Sequence, residues 1–460
     1  MIWRRRCSPP NPGRSRNASG RWTTGKYTSQ WARRTSMFRL PSEIKRIFEV
    51  LEGDGHQVYL VGGSVRDALL GLEPEDWDLA SDAAPERVAE LFDVASFQGD
   101  RYGVVKVKVK ALEAEVAAMR IDGVYSDRRR PDTVTFTDDI KKDLARRDFT
   151  INAMAYHPAT GLIDPYGGKK DIDQKLIRMV GDPIVRLAED PLRILRGLRL
   201  AGQLDFDVER ATFDAMKENA PHLTEISMDR RRGEFERLLV TKQTGKALRM
   251  CAAADVLPAL FGDCYPPKGR QSMGDLSVLL QEIDQSRPRV DLRMALLLLC
   301  FDKKKARKAI RDLEFDRETT RRLEASLDLL DELYFSTEKY LLKRFIYLNG
   351  MDIYEFLESL AKQHRDVYDV PGYRIESRYY LLDHIKKSRE PLFLEDLAIN
   401  GDDLVEAGIV TGEQVGEMLQ MLLDVAHRLP GLNTKKKLLQ RAKMLKNPIR
   451  AKLRNIYFIK

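Results

Sequence analysis

The chain of 460 residues has only four cysteines, and no two of them have the short spacing of a zinc site or a compact disulfide framework. No apolar run approaches the roughly 18 residues that a membrane-spanning helix requires. Six histidines are present, and none of them lies in a motif discussed below. These absences predict a protein of a reducing compartment with no membrane partner, whose chemistry relies on other side chains.

Acidic residues are missing from positions 1–36, which contain nine lysines and arginines. The rest of the chain holds 69 basic and 70 acidic residues, so the formal net charge of +8 comes from this segment. Its Arg-, Ser-, Pro- and Gly-rich composition shows no hydrophobic period, which predicts a disordered basic extension.

Three interpretations of this extension are open: a wrongly chosen upstream start codon, an arm that attracts RNA, or an organellar transit peptide. Residues 37–43 resemble a natural beginning, with Ser42 capping a helix that runs to about Gly53. We therefore favour a start at Met37 and expect a bacterial cytoplasmic protein. A genuine transit peptide would instead place the protein in an organellar matrix.

The length favours two to four modules. From residue 56 to about 165, short strand patterns alternate with helical ones, and the pattern is helical from there to the end. This predicts an α+β protein with a small α/β head and a helical remainder. Breaks are expected at 266–269, 349–350 and 371–372. The clearest predicted elements are strands at 58–61, 104–109 and 116–119 and a helix at 85–92.

The most informative segment begins with Gly62-Gly63-Ser64, which follows the strand and opens a helical stretch at 65–70. Glycines at such a turn allow the backbone to approach a phosphate closely. Farther on, Asp76-Trp77-Asp78 leads into a second strand, so Asp76 and Asp78 should point to one face. Adjacent carboxylates repel each other, and a hard divalent cation such as Mg²⁺ bridging to phosphate oxygens is the usual solution.

Residues 62–78 carry the pattern Gly-Gly-x-Val-Arg-Asp, a spacer and Asp-x-Asp. This pattern resembles the class II CCA-adding tRNA nucleotidyltransferase and bacterial poly(A) polymerase family, which belongs to the polymerase β-like nucleotidyltransferases. Segments 146–153, 189–196 and 396–404 resemble further signatures of the family, so the resemblance extends from about residue 37 to 445. The tail segment is closest to the CCA-adding enzymes.

The resemblance implies a modular chain whose helical parts bind the acceptor and T-arm region of tRNA. No obligate protein partner is evident. The implied modules are a polymerase β-like nucleotidyltransferase head at 37–178, a nucleobase-recognising neck at 179–240, a body at 241–350 and a tRNA-binding tail at 351–460.

The resemblance also implies a two-metal site in which one Mg²⁺ activates the primer 3′-hydroxyl and the other stabilises the leaving pyrophosphate. Asp76 and Asp78 would hold the metal, with Glu115 as a third carboxylate. The implied nucleotide-binding residues are Gly63, Arg66, Arg147, Asp148, Asn152, Asp190, Arg193, Arg196 and Arg199.

In segment 189–199 a charged residue recurs every three positions from Asp190 to Arg199, which predicts one ridge of a helix. A neighbouring ridge of Leu192, Leu195 and Leu198 should be buried. By itself this pattern is typical of a charged helix face. In the family, the matching acid and arginine bind the incoming base: the carboxylate accepts from the amino group of C or A, and U and G present the opposite polarity. Glu189 could hold Arg193 in position.

The leading functional hypothesis is template-independent addition of C, C and A to the tRNA 3′ end from CTP and ATP. A charged loop at 122–131 resembles the family loop that helps to switch the pocket from C to A. The alternatives are a poly(A) polymerase, although 97–103 departs from its basic stretch, and a partial CC- or A-adding enzyme. A non-catalytic RNA-binding protein on the same scaffold is the alternative from another class. The departures from the family at 118–119 and Leu200 resemble core variation.

Overall fold

The computed structural model describes residues 38–98, 103–125, 128, 131–265, 273–363 and 372–446. The predicted extension at 1–36, the proposed start at Met37, most of 97–103, much of the loop tip at 126–130 and the break at 266–269 lie outside the described residues. The chain divides into two compact units. The first contains segments 1–126, 131–174 and 178–181, and the second contains segments 127–130, 175–177 and 182–460.

A mixed sheet of seven strands organises the first unit, in the order β3-β4-β5-β2-β1-β8-β9. Strands β1 and β2 are antiparallel, whereas β2 and β5 are parallel. A separate antiparallel ribbon pairs β6 with β7. The strands are β1 Val58–Val61, β2 Asp78–Ser81, β3 Asp93–Gln98, β4 Val104–Val109, β5 Leu112–Ala118, β6 Arg120–Asp122, β7 Val134–Phe136, β8 Ala155–His157 and β9 Gly161–Ile163.

Two local predictions in this unit are wrong. Strand β5 begins at Leu112 rather than near 116, because a turn with Lys110 at φ 56° joins it tightly to β4 as a hairpin. Ser42 is the first residue of its helix and does not cap it; its hydroxyl bonds to the Glu43 carboxylate instead. The helices of this unit are α1 Ser42–Gly53, α2 Gly63–Leu69, α3 Pro85–Leu91, α4 Ile140–Ala145 and α5 Gly168–Asp173.

The second unit is helical except for the parallel pair β10 Leu176–Ile177 and β11 Asp207–Val208, whose strands are too short to give a sequence period. The predicted apolar ridge of helix α7, Leu192–Leu204, is buried, and Leu195 and Leu198 are fully enclosed. The helices are α6 Pro183–Glu189, α7 Leu192–Leu204, α8 Arg210–Asn219, α9 Met228–Leu239, α10 Thr244–Ala253, α11 Leu257–Phe261, α12 Met273–Gln285, α13 Val290–Leu298, α14 Lys303–Asp312, α15 Arg317–Phe335, α16 Lys339–Asn349, α17 Met351–Gln363, α18 Gly372–Lys387, α19 Gly401–Glu406, α20 Gln414–Arg428 and α21 Lys435–Lys446.

The predicted α/β head with a helical remainder is confirmed. Among the residues described above, no helix is both long enough and apolar enough to cross a membrane.

Candidate active site

A glycine turn at the end of β1 shapes the first part of the site. Gly62 has φ 68° and ψ −137°, a backbone conformation that residues other than glycine rarely adopt. A Cβ at this position would lie 3.0 Å from Arg147 Nη1 and 3.3 Å from Asp78 Oδ2. The turn therefore needs glycine both for its backbone angles and for space, and it brings Asp78 and Arg147 to the same point.

The hydroxyl of Ser64 connects α2 to the carboxylate segment. Ser64 Oγ donates to the carbonyl oxygen of Asp76 at 2.9 Å and accepts from the backbone N–H of Asp78 at 2.9 Å. Asp78 is the first residue of β2, whereas Asp76 lies in a bend before the strand. The expectation that Asp76 belongs to the same strand as Asp78 is therefore wrong, because the backbone curves around Ser64, whereas a common side for the two carboxylates stays a prediction. Sequence reasoning missed the role of Ser64, although its place directly after the two glycines was visible.

The environment of Asp78 favours a bound cation. Burial raises the pKa of the Asp78 carboxyl above its usual range, and the neighbouring carboxylates of Glu115 and Asp76 raise it further. Arg147 and Arg66 oppose this shift without cancelling it. A divalent cation would add to the positive charge of these two arginines and favour the ionised form of Asp78.

Glu115 does not converge with the two aspartates in a ready cluster. It is the register partner of Asp78 on β5, but its carboxylate lies 3.3 Å from Lys106 Nζ and is about half exposed. Among the described residues, no three His, Cys, Asp or Glu side chains are close enough together to form a metal cluster. The assignment of Glu115 as the third carboxylate therefore stays a prediction.

Arg66 is buried and held in place rather than free on a helix surface. Its guanidinium donates to both carboxylate oxygens of Asp67, at 2.8 and 3.0 Å, and to Asn152 Oδ1 at 2.8 Å. A Cβ on Gly63 would lie 3.3 Å from this guanidinium, so Gly63 gives it room. Arg66, Gly63 and Asn152, all predicted to bind nucleotide, are thus brought together.

The segment 146–153, which resembles a further family signature, contributes Arg147. Its Nη2 donates to Asp143 at 3.2 Å. Burial acts to raise the pKa of Asp143, but Arg147 and Arg146 outweigh it and hold this pKa below its usual range. Sequence reasoning missed Asp143, although it lies four residues before Arg147 on the same turn of chain. Asp143 therefore keeps Arg147 oriented.

Asp148 and Asn152 form the neighbouring part of this signature. Asp148 is buried, and its Oδ1 accepts from the backbone N–H of Phe149 at 2.8 Å. Asn152 Nδ2 lies 3.5 Å from the same oxygen. Two polar side chains suited to a ribose hydroxyl are therefore adjacent to the guanidinium of Arg66.

In the second unit Asp190 lies between helices rather than on a helical ridge. Helix α6 ends at Glu189, and Asp190 has extended backbone with φ −146° and ψ 96°. The predicted ridge beginning at Asp190 is therefore wrong at its first member. The physical reason is Pro191, because the residue before a proline is sterically restricted from the helical region.

Asp190 is surrounded by arginines. Arg230 Nη2 lies 3.6 Å from its Oδ2. Burial raises the pKa of Asp190, and Arg230, Arg193 and Arg196 partly oppose that rise. Sequence reasoning missed Arg230, although the run of three arginines in the first turns of α9 is unusual for a helix N-terminus.

Arg193 is buried, and its Nη1 donates to Glu189 Oε2 at 2.8 Å and to the carbonyl oxygen of Arg186 at 2.6 Å. Glu189 therefore contacts Arg193 as expected. Arg199, two helical turns farther along α7, donates to Glu234 at 3.0 Å, and Arg196 lies between them. Asp190 and Arg193 are thus close together at the start of α7, whereas Arg199 belongs to a separate ion pair.

Three family models match successive parts of the chain. The Poly A polymerase head domain matches residues 58–178, and the RNA and SrmB-binding site of polymerase A matches 205–264. The tRNA nucleotidyltransferase domain 2 matches residues 289–442.

Full-length relatives match most of the chain. The CCA-adding enzyme of Streptococcus mutans is 32% identical over 393 residues, which cover 83% of this chain and 92% of the relative. That of Leuconostoc mesenteroides is 32% identical and covers 84% and 92%.

Solved structures share the fold. The Bacillus stearothermophilus CCA-adding enzyme in complex with CTP has a TM-score of 0.72 and 28% identity, covering 89% of this chain and 98% of that chain. The Thermotoga maritima CCA-adding enzyme complexed with tRNA has a TM-score of 0.62 and 24% identity, covering 88% and 96%, a likeness of fold.

Proposed function

Because this chain belongs to the family of CCA-adding tRNA nucleotidyltransferases, we propose that it adds C, C and A to the 3′ end of tRNA from CTP and ATP, releasing pyrophosphate. The observation that carries the proposal is the pair of clusters just described. One cluster gathers carboxylates and arginines around a glycine turn, and the other places an acceptor and a donor at the start of α7. Transfer chemistry and base choice each have a matching set of side chains.

The carboxylate cluster fits a divalent metal, which this family normally uses. Asp76 and Asp78 would hold Mg²⁺, which when bound supplies Lewis-acid stabilisation of the attacking and leaving oxygens. Supporting this, Asp78 is buried beside other carboxylates, and oxygen donors are the ligands that Mg²⁺ prefers.

The arginines and polar side chains of the first unit would orient the nucleotide. Arg66 and Arg147 present guanidinium groups that are fixed by Asp67 and Asp143, so they can bind phosphate oxygens with little loss of side-chain entropy. Asp148 and Asn152 lie beside Arg66 and would contact the ribose hydroxyls.

Base choice would rest on Asp190 and Arg193. The Asp190 carboxylate can accept from the amino group of C or A, while Arg193 can donate to a ring nitrogen or carbonyl of the same base. Uracil and guanine would leave these buried groups unpaired, which costs about 1–3 kcal/mol. Selection of this kind requires no nucleic-acid template.

The module boundaries at 37–178, 179–240, 241–350 and 351–460 remain proposals, as does binding of the tRNA T arm by the tail. A cytoplasmic location is likewise proposed, supported by the bacterial source of the matching relatives.

One assay tests the function directly: purified protein, tRNA lacking CCA, labelled CTP or ATP, and product sizing on a gel. Addition of two C residues followed by one A is expected. Long A tracts would identify a poly(A) polymerase, and products limited to CC or to A would identify a partial enzyme. Binding of tRNA without transfer would identify a non-catalytic scaffold.

The third carboxylate can be tested with two residues of one strand. Glu113 and Glu115 are both exposed and point to the same face of β5, but only Glu115 pairs in register with Asp78. We expect Glu115→Gln to lower the single-turnover rate by about ten- to hundredfold and Glu113→Gln to leave it nearly unchanged. Equal rates in the two variants would remove Glu115 from the site.

A further inference from the structure

The first residue of the charged loop at 122–131 has a largely buried carboxylate. Asp122 ends β6, which pairs with β7 in a ribbon separate from the seven-stranded sheet. Two backbone hydrogen bonds beyond Asp122 continue the ribbon toward the loop. Only 6% of the Asp122 side chain is exposed. This residue is therefore not a solvated loop charge, and its partners lie inside the first unit.

Asp122 binds side chains on both sides of the ribbon's base. Its Oδ1 accepts from Arg120 Nε at 3.0 Å, and its Oδ2 accepts from the hydroxyl of Tyr125 at 2.8 Å. The same Oδ2 lies 3.9 Å from Arg146 Nη1. Through Arg146, the ribbon is thus connected to the end of α4 and to the segment that carries Arg147.

Arg146 and Arg147 share a second aspartate, Asp143, whose side chain is 1% exposed. Arg146 Nε donates to Asp143 Oδ1 at 2.8 Å, and the backbone N–H of Arg120 donates to the same oxygen at 3.2 Å. Arg147 Nη2 donates to Oδ2 at 3.2 Å. Arg147 therefore has a longer and weaker bond to Asp143 than Arg146 has.

These side chains form one charge network, with three arginines and two aspartates: Arg120, Asp122, Asp143, Arg146 and Arg147. The cations are crowded, because burial lowers the pKa of Arg120 and repulsion from Arg146 lowers it further. Asp122 and Asp143 oppose that fall. Without Asp122, the three guanidinium groups of the network would share a single carboxylate. Arg146 would then compete with Arg147 for Asp143.

The position of Arg147 matters because its guanidinium reaches the glycine turn. A Cβ on Gly62 would lie 3.0 Å from Arg147 Nη1 and 3.3 Å from Asp78 Oδ2. We propose that Asp122 is a positioning residue of the transfer site: it holds Arg146 and thereby leaves Asp143 available to orient Arg147. The inference rests on the proposed function, in which Arg147 binds the phosphates of the incoming nucleotide.

Two aspartates next to the ribbon give a matched test. Asp138 is exposed, lies two residues beyond β7 and is outside the charge network. Asp122→Asn should raise the half-saturating concentrations of CTP and ATP equally, by about three- to thirtyfold, because phosphate is common to both nucleotides. Asp138→Asn should change them by less than about twofold. Single-turnover rates over a range of nucleotide concentrations measure these values, and equal values in the two variants would overturn the inference.

A second substitution gives a readout that a purely structural role would not produce. Arg146→Gln, added to Asp122→Asn, removes the competitor of Arg147 and one positive charge together with the negative one. The half-saturating concentrations should therefore return to within about threefold of wild type. A further rise in the double variant would overturn the inference, because loss of folding contacts accumulates and competition for Asp143 does not.

A milder variant keeps the inference testable if Asp122→Asn does not fold. Tyr125→Phe removes the hydroxyl that donates to Asp122 and keeps the ring. It should raise the half-saturating concentration of CTP by about two- to fivefold. In that case, a value equal to that of Asp138→Asn would overturn the inference.

Wild type and Arg147→Ala separate the possible failures. If the wild-type protein did not extend tRNA, the proposed function would fail and the inference with it. If Arg147→Ala kept the wild-type half-saturating concentrations, the phosphate contact of Arg147 would fail, and so would its positioning by Asp122. If Arg147→Ala raised them while Asp122→Asn behaved like Asp138→Asn, only the role of Asp122 would fail.

Discussion

The two candidate clusters each contain a buried aspartate, but the charged groups around the two aspartates differ. Burial raises the pKa of Asp78; Arg147 and Arg66 oppose this rise, and the carboxylates of Glu115 and Asp76 add to it. Asp190 has Arg230, Arg193 and Arg196 beside it, and these oppose the rise. The charges beside Asp78 are therefore mixed, whereas those beside Asp190 are all positive. We therefore propose that a cation completes the first cluster, whereas the second would read a base with its own side chains.

The largest effect is expected from removing a carboxylate of the first cluster. Asp76→Ala or Asp78→Ala should reduce nucleotide transfer by at least about a thousandfold, because the variant loses a metal-holding oxygen donor. Binding of tRNA should be nearly unchanged, because carboxylates repel phosphate and these two would hold metal rather than RNA. Single-turnover assays and tRNA titrations measure the two quantities. Full transfer by either variant in Mg²⁺ would contradict the assignment.

The next prediction compares an arginine of each cluster. Arg193→Ala should lower incorporation of CTP and ATP and relax discrimination against UTP by about ten- to hundredfold, because a base-reading donor is lost. Arg66→Ala should weaken all nucleotides about equally, because phosphate is common to them. Single-turnover rates with the four nucleotides distinguish the patterns. If the Arg193 variant kept its nucleotide preference, Arg193 would have no role in base choice, and this part of α7 would be an ordinary charged helix face.

The parts of these clusters that the sequence predicts are local in the chain. Gly62, Gly63 and Asp78 lie within one strand–turn–helix–strand segment, and the buried leucines of α7 follow from its period. The extended backbone of Asp190 was also predictable from the local sequence, because Pro191 follows it. The partner Arg230 was not, because no periodicity or turn rule connects residues forty positions apart that meet only through packing.

Stability gives a third test of the contrast. A carboxyl with a raised pKa favours the folded state below its unfolded pKa and loses that contribution as pH rises through its folded pKa. At neutral pH, Asp78→Asn should therefore raise the free energy of unfolding by about 0.5–2 kcal/mol in chelator. Asp190→Asn should gain less, because Asp78→Asn also relieves repulsion from Glu115 and Asp76, whereas the charged neighbours of Asp190 are all arginines. Urea denaturation measures the free energy of unfolding of both variants. A larger gain for Asp190→Asn than for Asp78→Asn would contradict this prediction.

The smallest expected effect is a shift in the pH dependence of base choice. Burial raises the pKa of Asp190, so it becomes protonated at a higher pH than an ordinary aspartate. A protonated Asp190 donates and no longer accepts with both oxygens, so preference for CTP over UTP should fall severalfold as pH is lowered, and it should begin to fall above the pH at which an ordinary aspartate protonates. Arg230→Gln removes the strongest opposing charge and should move this midpoint to higher pH.

Arg210→Gln is the matched control for this shift, because Arg210 is an exposed arginine whose partner, Asp214, is one turn away on α8. The ratio of single-turnover CTP and UTP incorporation is the measurement, since a general loss of folding or of metal binding lowers both rates and leaves their ratio unchanged. A midpoint that stays the same in Arg230→Gln and Arg210→Gln would show that Arg230 does not tune Asp190. The second cluster would then owe its base preference to Arg193 and the shape of the site rather than to its surrounding arginines.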